Sequence, residues 1–147
     1  MKPLAENKRA HFDYEFLDTF EAGMELFGHE VKSLRAGRAS LIGARVLVRG
    51  GEAFLVGSTV PPYQEKNVPA SFDPSRTRRL LLSKKEILLL AEKEGQKGLT
   101  IIPIMVYNAG RRLKLRVAVA RHKKQHDKRA ALKERDTERE MRRTLKE

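Results

Sequence analysis

Residues 20–40 read FEAGMELFGHEVKSLRAGRAS, and the rest of the chain is organised around them. Phe20, Ala22, Met24 and Leu26 are apolar at every second position, the period of a half-buried strand. Gly28 ends that pattern. Val31 and Leu34 lie three apart and share a helical face. At about 100° per residue, Lys32, Ser33 and Ala36 are expected to point away from that face, with Glu30 and Arg35 on its flanks. Gly37 suits a left-handed C-terminal cap. The stretch predicts a strand, a glycine turn and a short helix that shows charge and hydroxyl outward.

Upstream, residues 1–10 (MKPLAENKRA) are polar and are expected to be mobile until bound. Phe12, Tyr14 and Phe16 alternate, so the first strand is placed there, with Asp18 as a break or bulge. Downstream, Val46 and Val48 alternate, Gly50-Gly51 is a hairpin signal, and Phe54 and Val56 alternate on the return. Residues 64–75 have the composition of a loop, in which Asp73-Pro74 suits the start of one helical turn. Leu80-Leu81-Leu82 is read as a short buried strand, with a helix as the alternative. Ser83 and Glu86 form a capping box for a helix to Glu94 that turns Ile87, Leu90 and Ala91 inward. Residues 99–107 are apolar on both faces, as in a central strand. Leu113, Leu115, Val117 and Val119 alternate with Lys114 and Arg116, which predicts a strand with one basic face.

Past Ala120 the composition changes. Residues 121–147 hold eleven Lys or Arg against six Asp or Glu, and few large apolar side chains. They lack Gly and Pro and favour helix, so the expectation is a tail disordered when free and helical on a partner. The division is a folded unit at 1–120 and a basic tail at 121–147. The fold expected is mainly β: a closed antiparallel barrel of the oligonucleotide-binding (OB) type, with about six strands and two or three helices. Closure would leave no edge strand. An open α+β sheet is the alternative.

The chain has 147 residues and a formal net charge of +12. That excess points to a polyanion. No apolar run approaches a membrane span, and the absence of cysteine excludes disulfides and thiolate metal sites. A cytoplasmic protein with no cofactor, no metal and no membrane partner, monomeric when free, is expected. Phosphate-loop, dinucleotide and His-Glu-x-x-His patterns are absent, and the four histidines are scattered, so the chain does not read as an enzyme. Lys32, Arg35 and Arg38 recur on one helix and its exit; Arg76, Arg78 and Arg79 cluster before a strand. Each set is either a solvated face or a track for phosphates. Glu30 sits among them either as an ion-pair partner of Lys32 or Arg35 or as an acceptor for a base edge. Tyr14 and Phe27 either stack on bases or pack in the core. Composition alone also admits a ribosomal or general single-stranded RNA-binding protein, or an RNA-modifying enzyme.

Taken in order, these motifs resemble the SsrA-binding protein (SmpB) family, the bacterial partner of transfer-messenger RNA. The resemblance runs through Asn7-Lys8-Arg9-Ala10, the 20–39 signature, Pro62-Tyr63, Asp73-Pro74 with Arg76 and Arg78, Gly98-Leu99-Thr100, and His126-Asp127-Lys128-Arg129. It implies an OB-type barrel that binds the tRNA-like part of transfer-messenger RNA and brings it to stalled ribosomes for peptide tagging. The RNA contacts it implies are Asn7, Lys8, Tyr14 and Glu30 with the basic residues near them, Arg9, Lys32, Arg35 and Arg38; Ser33 on the same helix and Arg76 and Arg78 of the basic cluster complete the candidate set. In the tail, Lys123, Lys124, His126, Asp127, Lys128 and Arg129 would meet the ribosome at the small-subunit decoding centre and mRNA channel. His122 stands where the family has glycine.

Overall fold

The computed structural model describes residues 2–124 together with Arg135 and Arg139. In chain order the elements are β1 (Pro3–Glu6), α1 (Ala10–Asp13), β2 (Tyr14–Met24), α2 (Gly28–Arg35), β3 (Arg45–Arg49), β4 (Glu52–Val56), β5 (Arg78–Leu81), α3 (Lys84–Glu94), β6 (Leu99–Ala109) and β7 (Arg112–His122). Among the described residues the strands make one antiparallel sheet, ordered β1-β6-β7-β2-β5-β4-β3.

Most of the expected elements form for the expected reasons. Gly50 and Gly51 both take positive φ, 60° and 76°, which a two-residue hairpin with the right twist requires. Ser83 Oγ accepts from the Glu86 N–H while the Glu86 carboxylate accepts from the Ser83 N–H, so the capping box starts α3. The register of β2 against β7 shifts between Phe16 and Asp18, which makes the expected bulge. β6 is buried on both faces. Ile101 and Val106 enter the main core with Leu34, Val46, Leu55, Leu80, Leu90 and Leu115. Ile102 and Ile104 enter a second cluster with Ala10, Ala118 and Ala120. Pro103 has no N–H to give the ladder, and the register of β6 slips directly after it.

Several expectations are corrected. Residues 3–6 pair with β6 as β1, and the Asn7 N–H donates to Ile104 O at 2.8 Å, so the N-terminal segment is part of the sheet. Asp73-Pro74 makes a turn in which the Asp73 carboxylate accepts from the Ser75 N–H, not a helical turn. On α3 Leu90 is fully buried, but Ala91 is exposed. The outward face of β7 is basic only over its first half, because α1 covers Ala118 and Ala120.

The sheet curls but does not close into a hydrogen-bonded ring of six strands. Among the described residues there are seven strands, and β1 and β3 remain the edges of the sheet. β3 packs beside β6 without joining it in the ladder, and on that edge of β6 the strand β1 pairs only with residues 105–107. Helix α3 covers the seam, packing on both β3 and β6. Its Glu94 carboxylate accepts from the Val48 N–H at 2.7 Å and pairs with Arg49 at 2.5 Å. A side chain thus occupies an edge donor that barrel closure would have satisfied.

Candidate nucleic-acid interface

Helix α2 carries the site, and its two ends do different work. At the N-terminal end Glu30 is fully buried. Its carboxylate accepts from the Phe27 N–H at 2.8 Å, from Arg76 Nη2 at 2.5 Å and Nε at 3.0 Å, and from Arg78 Nη2 at 2.6 Å and Nε at 2.9 Å. Arg78 is fully buried as well. Its remaining donors go to Ser58 Oγ, Arg76 O and Pro74 O, so the guanidinium fork is spent on protein acceptors. Burial alone would raise the Glu30 pKa. The hydrogen bonds from Arg76, the Phe27 N–H and Arg78 outweigh it and hold the carboxyl below its ordinary range. Burial also lowers the Arg78 pKa, against the pull of Glu30.

This geometry corrects the picture of the helix face. Glu30, Ser33 and Leu34 are the buried residues of α2, so the inward face is centred near Glu30 and Leu34. Val31 is only half-buried. Ser33 does not point outward, and Glu30 is not an open flank. Glu30, Ser33 and Arg78 are all fully buried. The partners of Glu30 are Arg76 and Arg78, not Lys32 or Arg35. Arg76 keeps a quarter of its side chain open and lies over the Phe27 ring, with its guanidinium carbon 4.4 Å from the centroid.

Lys32, Arg35 and Arg38 are exposed along α2 and its exit. Arg35 donates to Arg111 O, and Arg38 donates to Tyr63 O while lying over the Tyr63 ring. Beyond the C-terminal end of the helix, Gly37 and Ser40 border a groove of about 950 Å³. Asn7, Lys8, Arg9 and Tyr14 line it from the other side, so four of the expected residues converge there. Asn7 is held by its side chain, which donates to Pro103 O. Arg45 and Ser40 also line this groove, and the sequence reading missed them; the basic residue opening the alternation of β3 was the one available signal.

At the other terminus β7 runs two residues past Ala120. His122 pairs with Tyr14 in extended backbone, its ring 5.0 Å from the Tyr14 ring, so no glycine is needed there. Lys123 turns back on the domain: its N–H donates to Asp13 O and its Nζ to His11 O. Lys124 is exposed. His126, Asp127, Lys128 and Arg129 lie outside the described residues. Among the described residues no group of side chains suits a metal ion, and no helix is long and apolar enough to cross a membrane.

Comparison with known proteins matches residues 4–147 to the family model described as SmpB protein. The SsrA-binding protein of Thermosynechococcus vestitus is 45% identical over 147 residues, covering 100% of this chain and 97% of the relative. That of Synechococcus sp. (strain JA-3-3Ab) is 50% identical, covering 99% and 95%. A solved structure described as "tmRNA-SmpB: a journey to the center of the bacterial ribosome" is 44% identical and covers 82% of this chain and 84% of its own, with a TM-score of 0.68.

Proposed function

The chain belongs to the SmpB family of SsrA-binding proteins, and on that premise we propose that it binds the tRNA-like part of transfer-messenger RNA and delivers it to stalled ribosomes for trans-translation. The role is that of an RNA-binding protein, not of a catalyst. One observation carries the reading at the level of residues. Asn7, Lys8, Arg9 and Tyr14 converge on a groove at the C-terminal end of α2, and Lys32, Arg35 and Arg38 are exposed beside it. Cations in a line offer phosphate contacts, and a groove with an aromatic and an amide offers contacts to unpaired bases. Glu30 and Arg78 act from behind: they fix the start of α2 and hold Arg76 at the surface. Arg45 joins the contact set. Lys123 is a docking residue of the folded unit; Lys124 and residues 126–129 keep the role of meeting the ribosome.

The test is a titration of the tRNA-like transcript at several salt concentrations. Affinity should fall steeply as salt rises, by roughly a thousandfold between 50 and 200 mM if about six phosphates are neutralised. Lys8→Ala and Arg35→Ala should each weaken binding and flatten the slope by about one unit. A flat titration removes the proposal.

A further inference from the structure

Phe27 stands out among the exposed side chains. It is 53% exposed, although it is large, apolar and fixed at a helix start by its N–H on Glu30. Three neighbours hold its ring. Arg76 lies over it at 4.4 Å. His29 is stacked at 5.7 Å between centroids, with 23° between planes. Phe72 meets Phe27 edge-on at 6.4 Å and His29 edge-on at 4.5 Å. Arg76 cannot swing away, because it is tied twice to the buried Glu30 carboxylate. The ring is therefore pre-oriented, in a residue that keeps about half of its surface open to solvent. The apolar core does not need it there.

A fixed, half-open aromatic ring beside an arginine is the chemistry that stacks nucleobases. The charge of the molecule selects the same partner: net +12, with exposed Lys32 and Arg35 on the same helix. We propose that Phe27, held by Arg76, His29 and Phe72, is the platform on which one unpaired base of the bound RNA stacks. The inference rests on the RNA-binding reading above and adds a base contact at the opposite end of α2 from the groove. Ordering the ring before binding lowers the entropy lost on contact.

The experiment uses the full chain and the tRNA-like transcript, with Phe27→Leu and Phe27→Trp, each checked by thermal unfolding. Phe27→Leu should weaken binding about five- to hundredfold, and Phe27→Trp should keep or tighten it. The slope of log affinity against log salt should be the same in all three, because stacking releases no counterion. In the wild type, the Phe27 ring protons should shift upfield when the transcript is added. Equal affinity of Phe27→Leu and wild type, a salt slope that falls with affinity, or unmoved ring protons would each overturn the platform and leave RNA binding intact. A wild-type protein that does not bind the transcript at low salt would overturn both.

Discussion

Glu30 holds two arginines through one buried carboxylate. Removing it leaves the Arg78 guanidinium buried with two of its donors unanswered. Glu30→Ala is therefore expected to cost about 3–5 kcal/mol in urea denaturation, the usual penalty for breaking a buried pair by one partner. The sign of its pH dependence follows from the lowered pKa. The carboxylate contributes fully above its unfolded value near 4.5 and loses that contribution as pH falls through the lower folded value. The acid limb of the stability curve should flatten in Glu30→Gln. Tyr107 has the opposite sense. Burial and then its hydrogen bond to the Glu21 carboxylate push its pKa up to about 12. Its contribution is whole below about 10 and lost between about 10 and 12. In an ultraviolet titration of tyrosinate, Tyr107 should ionise late in the wild type and less late in Glu21→Gln, where burial alone still raises it. None of these partners could be read from spacing. Arg76 and Arg78 lie 46 and 48 residues from Glu30, and Tyr107 lies 86 from Glu21. Ser33 was misplaced for a related reason: an inward face that carries a carboxylate and a hydroxyl is invisible to a reading that follows apolar residues.

Elements were more legible where a local rule acts alone. Alternation gave β2, β3, β4 and β7, two glycines gave the hairpin, and Ser83 with Glu86 gave α3. β1 and α1 were not legible, since four residues each are too short for a period to show. The seam was not legible either. It depends on one carboxylate at the end of α3 meeting an edge donor on β3. Glu94→Ala should cost about 1–2 kcal/mol by leaving the Val48 N–H without that acceptor. Hydrogen exchange should speed up at Val48 before it does in β7. Equal protection at Val48 in both proteins would assign closure to packing alone.

Over the whole molecule, charge and motif order were enough to name the partner class before any contact was visible. The closed ring was the wrong economy, because a helix carboxylate and a short strand manage the edges instead. Lys123 docks on α1. Removal of residues 125–147 should therefore spare folding and binding to the transcript while abolishing peptide tagging; both are to be measured on one truncated protein, and tagging that persists would refute the division. The strand order carries one more consequence. β1 pairs with residues 105–107, and Tyr14 pairs with His122. A chain made from its N-terminus holds Asn7, Lys8 and Arg9 without their supports until nearly all of it exists. The groove is thus among the last parts to be assembled during synthesis, and an unfinished chain has no complete groove with which to occupy the RNA.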